Sequence, residues 1–338
     1  MMSLIITAYT LNLFGMRNYL IISVKIVVSA GVLFVISRRL DFNQLLLSLH
    51  QANIVYLLIA VLLAVLAVPV VGNRWRLLAG MLSFEITTVV ATRATYAGLF
   101  VGQVLPGGVG ADVVRGWMVW NLGLRNQLIV ASLVADRIMS LFAIVIMIFI
   151  SFPILGPLLP AKVVNWIQWG AIIFIGLLLI GRYSLIKLQS IKIGKKISQI
   201  MRKKGIDNLS ISVRNILYSL GFAILGHALM ILSAYFLSLA FGINSFFWMW
   251  LLIMPIVILV TALPISINGW GVREYAMIYL WGLFGIAQSE AFLISVCVGL
   301  VAVISSLLGL WFWLSRRKLV RINGGRIANA ELSVNSIS

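Results

Sequence analysis

Long apolar runs broken by short polar pieces dominate the chain. Runs at 19–37, 54–72, 127–150, 163–181, 213–241 and 290–314 are near the roughly 20 residues a helix needs to cross the hydrocarbon layer. Two further apolar stretches, 86–105 and 246–263, each close on a Leu-Pro. A polar, Gly-rich piece follows each of them, and then a short apolar segment, 113–124 or 272–286. The pattern predicts eight hydrophobic segments and two half-length ones, an all-α polytopic membrane protein.

The two Leu-Pro sites resemble each other. The first reads Leu105-Pro106-Gly107-Gly108-Val109-Gly110-Ala111-Asp112-Val113-Val114-Arg115, and the second Leu263-Pro264-Ile265-Ser266-Ile267-Asn268-Gly269-Trp270-Gly271-Val272-Arg273-Glu274. In both, an arginine stands nine positions after the proline. The same shift lays 54–72 onto 212–230, 86–105 onto 244–263, and 127–150 roughly onto 285–308. The expectation is two pseudo-repeats, A at about 54–150 and B at about 212–314, around a linker span and basic loop at 163–211. Paired Gly/Pro-interrupted segments at matching places point to a transporter's substrate site. Residues 1–326 form one integral membrane domain in this reading, with a disordered tail at 327–338 and translation starting at Met16.

Composition agrees with the pattern. Hydrophobic residues make up 62% of the 338 and charged residues only 10%, whereas a soluble domain draws about a quarter from Asp, Glu, Lys and Arg. A soluble enzyme is excluded. The net charge of +18 is read against the membrane rather than nucleic acid, because basic residues mark the cytoplasmic side. Nine of the 26 fall between Arg182 and Arg214 and five between Arg316 and Arg326, placing both segments and the C-terminus in the cytoplasm. If each Leu-Pro segment is a re-entrant hairpin, the halves are inverted and Arg38 and Arg39 lie outside. If those segments cross fully, the halves are parallel and Arg74 and Arg76 lie outside. The inverted arrangement is carried forward.

Charge inside the spans is the strongest functional signal, since an ionised group at mid-bilayer costs about 2.5–3.5 kcal/mol even on insertion scales. Asp112 and Arg115 share a helical face at i,i+3, Arg273 precedes Glu274, and Asp136-Arg137 lie near the middle of 127–150. These six residues form three expected acid–base pairs. Arg115, Arg273 and Arg137 would make a cationic centre, because a guanidinium grips phosphate bidentately and stays charged when buried. Asp112, Asp136 and Glu274 would steady it. Asn268 and the glycines Gly107, Gly108, Gly110, Gly269 and Gly271 would let backbone and headgroup approach, with helix N-termini near Asp112 and Val272 aimed at the same anion. The competing reading makes each pair a self-neutralising clamp that only fixes packing.

Other features are plainer. The loop 184–204 has the pattern of an amphipathic helix on the inner leaflet. The tryptophans, including Trp117, Trp120, Trp166, Trp248, Trp250, Trp311 and Trp313, read as interfacial belts. Gly98 and Gly102 form a GxxxG suited to close helix packing. Cys297 is the lone cysteine, His50 and His227 the only histidines, and no metal site, cofactor or common hydrolytic or nucleotide motif is expected.

The stretches LPGGVGADVVRG, VADRI and LPISINGWGVREYA resemble the membrane region of lysylphosphatidylglycerol synthases, a flippase-like family that also exists as free-standing membrane proteins. The resemblance runs from about Asn18 to Arg316. Family members carry an Asp-Arg pair where Asp136-Arg137 stand and a Gly-x-Gly-hydrophobic-Arg-Glu where Gly269 to Glu274 stand. At Gly110-Ala111-Asp112 a Gly-Gly-Asp is commoner. The resemblance implies movement of an anionic or polyprenyl-linked lipid between leaflets of a bacterial or archaeal plasma membrane. The soluble aminoacyl-transferase domain of the full synthases has no counterpart within this sequence, so lysyl transfer is not expected. The rival expectation is a membrane-embedded lipid- or glycan-modifying transferase, or the companion of a lipid-modifying synthase or glycosyltransferase.

Overall fold

The computed structural model describes residues 48–82, 84–103, 109–120, 126–165, 168–170, 176, 212–243, 245–262, 266 and 268–315. The expected span 19–37, most of 163–181, the basic loop, the segment 316–326 and the tail lie outside them, as do both Leu-Pro dipeptides and Gly108. Among the described residues the chain is helical throughout, with no strand. In order come α1 (Ile54–Met81), α2 (Thr88–Gly102), α3 (Val109–Trp120), α4 (Asn126–Leu155), α5 (Val213–Ala240), α6 (Phe247–Thr261), α7 (Val272–Gly282), α8 (Gln288–Ser306) and α9 (Leu308–Leu314).

Four stretches among them are long and apolar enough to cross a membrane: Ile54–Met81, Asn126–Ile154, Val213–Ala240 and the α8–α9 run Gln288–Leu314. Their outward residues include Leu58, Leu62 and Leu66 on α1 and Val130, Val134 and Ile138 on α4. Such stripes at four-residue spacing are what lipid covers. The Leu-Pro stretches behave differently from the long runs. Helices α2 and α6 have 15 residues each, or about 22 Å, short of a hydrocarbon core of about 30 Å.

The centre is the α1–α5 pair, built on small residues because apolar tails give helices no hydrophobic reason to associate. Ala60 and Ala64 of α1 cluster with Leu237 and Met230 of α5, and the buried face of α5 includes the small residues Ala223, Gly226, Ser233 and Ala234. Gly72 lets α1 approach Ala91 and Thr92 of α2. The two helices run antiparallel. Asn53 N donates to Ala240 O at 2.8 Å, Ser233 Oγ to Ala60 O at 2.7 Å, and Gly226 lies against Val70 and Val71. Pro69 deprives the carbonyl four residues earlier of its helical donor, and Tyr96 Oη of α2 supplies one to Val65 O at 2.8 Å.

Two reciprocal seams flank this pair. Helix α4 packs antiparallel on α6, Ile148 lying near Leu252 and Leu141 near Leu259. The α8–α9 run packs antiparallel on α2, Gln103 meeting Ala302 and Arg93 meeting Phe312. Thus α4 rests on α6, and the α8–α9 run rests on α2.

Within the first half, α2 folds back on α3 through the GxxxG. Gly102 lies against Ala111, and a Cβ at Gly98 would come within 2.5 Å of Ala111 O and 2.8 Å of Arg115 Cγ. Trp250 departs from the expected interfacial belt. It is fully buried, stacked on buried Trp281 at 4.5 Å, with its Nε1 donating to Ser245 Oγ. Trp248 and Trp311 are exposed, as an outer aromatic residue should be.

Gly98→Ala is therefore expected to pry α3 from α2. It should lower the melting temperature of purified protein by about 1.5–4 °C, the shift that an overpacking cost of about 1–3 kcal/mol produces in a chain of this length. Gly80→Ala, where an added Cβ meets nothing within 4 Å, should be neutral or slightly stabilising in the same thermal assay.

Candidate functional site

Helix α4 carries Ser132, Asp136 and Ser140 at i, i+4 and i+8, one polar line along an apolar span. Trp75 on α1 donates its Nε1 to Ser132 Oγ at 3.0 Å, fixing the indole. Beside it Arg74 donates Nε to Asp136 Oδ1 at 2.6 Å. From α3, Arg115 lays its guanidinium over the Trp75 ring at 4.5 Å and donates Nη1 to Asp136 Oδ2 at 3.0 Å. One buried carboxylate thus holds arginines from two other helices. The small Gly98 gives Arg115 its room.

Asp112, at the start of α3, forms the outer part of the network. It accepts from Arg115 Nη1 at 3.2 Å and from Arg137 Nε at 2.6 Å. The Asp112–Arg115 pair expected from spacing is present. Asp136 and Arg137 do not form the third pair. Adjacent residues on a helix point about 100° apart, so Asp136 turns inward to Arg74 and Arg115 while Arg137 turns to Asp112. Among the described residues this network holds three guanidiniums and two carboxylates. Buried Arg115 also keeps Nε and Nη2 without a hydrogen-bond partner among the described residues.

The network borders a cavity of about 720 Å³ between α3, α4 and the end of α6. Asp112, Arg137 and Ser140 provide its polar wall, and Leu133, Ile144 and Ile258 belong to the apolar one. The Arg137 side chain is about half exposed, at 49%. Arg115 and Asp136 stand behind this wall rather than in it. A second cavity of about 740 Å³ shares Leu141 and Leu259 with the first and continues along α4 past Ile148 and Phe149 to Tyr275 and Tyr279 of α7.

The second motif is assembled differently. Asn268, Gly269 and Gly271 have φ of 47°, 81° and 84°, a left-handed turn that glycine and asparagine tolerate. It delivers Glu274 to full burial, where Oε2 accepts from Gly271 N and Oε1 from Arg273 Nη2 at 2.7 Å and Ser295 Oγ at 3.1 Å. Arg273 stacks on Trp270 at 4.5 Å and lies tight against Gly299, where a Cβ would strike its Nη2. The amide at the start of α7, expected to be offered to an anion, is taken by the protein's own Glu274. No described contact joins this cluster to Arg115. The motifs touch through Asn268 Nδ2, which donates to Gln103 Oε1 of the residue after α2.

Sequence reasoning passed over Arg74, Trp75, Trp270, Ser295 and Gly299. Arg74 and Trp75 lie past the apolar run 54–72, on a buried face that α1 continues through Ala67, Arg74, Trp75 and Leu78. Gly110 is buried at the start of α3. No group of three or more His, Cys, Asp or Glu that could hold a metal occurs among the described residues.

Removing one partner from a buried ion network strands the others, at about 3–5 kcal/mol. Asp136→Asn should therefore destabilise the protein far more than Asp112→Asn. Thermal unfolding in detergent, followed by monomer recovery, measures the difference.

The family described as the lysylphosphatidylglycerol synthase TM region matches residues 22–323. A protein of Methanocaldococcus jannaschii described as a UPF0104 membrane protein is 26% identical over 230 residues, covering 66% of this chain and 97% of the relative. No solved structure matches the chain. With the family profile spanning nearly all of its length, the chain belongs to the lysylphosphatidylglycerol synthase TM region family.

Proposed function

We propose that this integral membrane protein moves a lipid with a singly charged anionic headgroup between leaflets. The observation that carries the reading is the Arg74–Arg115–Arg137 network beside an apolar cavity, with the half-exposed Arg137 fork in the cavity wall. A phosphodiester entering the cavity meets the Arg137 fork first. Asp112, which holds Arg137 and Arg115 together, then gives up its place on Arg137 to the phosphate, a charge-assisted exchange of one oxyanion for another. The apolar walls take the part of the lipid nearest the headgroup.

The antiparallel α1–α5 pair supports inverted halves. Equivalent first helices related by an axis along the membrane normal would run the same way, whereas Asn53 lies at Ala240 and Ala60 at Ser233. In this arrangement α2–α3 and the α6–α7 region enter from opposite faces, and rocking of one half on the other alternates access. The membrane is the plasma membrane, with the basic C-terminal segment in the cytoplasm.

The arginines of the two motifs take different roles in this reading. Arg273 is a clamp that closes the α7 turn against α8, since its carboxylate partner neutralises it within a packed pocket. A transferase reading is less well supported, because Asp112, Asp136 and Glu274 are each already engaged by a guanidinium.

Reconstitution in phosphatidylcholine vesicles with trace fluorescent phosphatidylglycerol tests the proposal. Wild type should equilibrate the label across the bilayer faster than protein-free vesicles; equal rates would overturn the reading. Arg137→Gln should slow exchange by about tenfold or more, the loss expected of a charged hydrogen bond worth about 1.5–3 kcal/mol. Arg273→Gln should reduce thermal stability first, with the activity of the folded fraction largely kept.

A further inference from the structure

His227 is a titratable group in the middle of a spanning helix, and the lipid-binding reading leaves it unused. Polar and ionisable groups at that depth mark ion or proton pathways. Its ring on α5 meets Ser140 of α4, Nε2 to Oγ at 2.9 Å. Ser140 is the cavity-wall residue one turn beyond Asp136, on the same face of α4. One hydroxyl therefore separates the imidazole from the space beside Arg137 and Asp112.

The groups around the ring are few. On α4, Asp136 stands one turn before the Ser140 that meets the ring, and Arg74 of α1 is bound to that carboxylate. Helix α6 has no titratable side chain along Phe247–Thr261. On α8, Cys297 packs with Ala60, Ala64 and Leu237 instead. The imidazole thus sits one turn from the arginine network. An anion bound there lowers the positive potential at the ring, so a proton on His227 costs less when the headgroup is in place. The two bindings help each other, and linkage makes the help mutual.

We propose that His227 is a proton-binding site that makes transport of the anionic lipid electroneutral, one proton accompanying one headgroup. The proton enters from the aqueous side on which the lipid binds, rests on the imidazole while the phosphate occupies Arg137, and leaves to water on the far side as the lipid is released. Ser140 relays between ring and cavity as a hydroxyl that can donate or accept. The inference rests on the lipid-moving reading and adds its driving force: a pH gradient, with no nucleotide required.

The test uses full-length protein in phosphatidylcholine vesicles with trace fluorescent phosphatidylglycerol and an imposed gradient of one pH unit. With one-to-one coupling the label should accumulate in the leaflet facing the alkaline side, to a ratio of about tenfold. A membrane potential alone should leave it evenly distributed. Wild-type vesicles holding a pH-sensitive dye should also show proton movement that follows an imposed lipid imbalance. His227→Gln keeps a hydrogen-bonding partner for Ser140 but cannot titrate in this range, so accumulation should vanish.

If wild type equilibrates the label but ignores the pH gradient, or responds to potential instead, the coupling is wrong while lipid movement stands. Accumulation that persists in His227→Gln also overturns it. If wild type does not move the label at all, the proposed function fails and the coupling with it. Should the variant not fold, the wild-type dye measurement decides alone, and lipid movement without proton movement counts against the proposal.

Discussion

Everything at the candidate site depends on the Asp136 carboxylate, one acceptor shared by guanidiniums from two other helices. In a membrane interior neither Arg74 nor Arg115 could remain charged and unpaired, and neither can retreat to water from its buried position. Asp136 makes both tolerable at once, and in doing so ties α1, α3 and α4 into one unit. The rest of the local architecture follows from that requirement. Ser132 fixes Trp75, Trp75 gives Arg115 a π face, and Gly98 leaves space for its stem. Asp112 and Arg137 then extend the network to the cavity wall, so a charge change at the surface reaches buried groups in two hydrogen-bonded steps.

The second motif shows what similar spacing becomes when, among the described residues, the carboxylate's only arginine partner is its neighbour in sequence. Glu274 spends its oxygens on its own turn, its neighbouring arginine and Ser295. The result is a closed pair, whereas the first network borders open space. Similar spacing of Leu-Pro and arginine therefore does not imply similar chemistry. The position of the acid relative to its arginine decides whether charge is confined or relayed.

This explains how far the sequence could be read. The helical class, the four long spans and the two short Leu-Pro helices follow from run length and from proline and glycine, which act locally. The pairs Asp112–Arg115 and Arg273–Glu274 were legible for the same reason, being three and one residues apart. Asp136 was legible as a residue needing a partner, but its partners Arg74 and Arg115 lie 62 and 21 positions away. Only packing of α1 and α3 on α4 could select them over the adjacent Arg137. The apolar run at 54–72 suggested a helix ending before Arg74, whereas α1 continues to Met81. An arginine whose charge is neutralised by another helix does not end a span.

The reciprocal seams now acquire unequal roles. Where α9 meets α2, Gly309 lies so close to the Tyr96 carbonyl that a Cβ would overlap it, and Phe312 and Trp313 interlock with Tyr96 and Trp117. That seam is closed by backbone contact. Where α4 meets α6, the matching seam holds two adjoining cavities, and its polar end is the Asp112–Arg137 pair. A fold with the same pairing twice has thus kept one seam tight and left the other spacious beside the charged network. The charged network and the looser packing thus fall on the same side of the molecule, and the tight α2–α9 seam lies away from both.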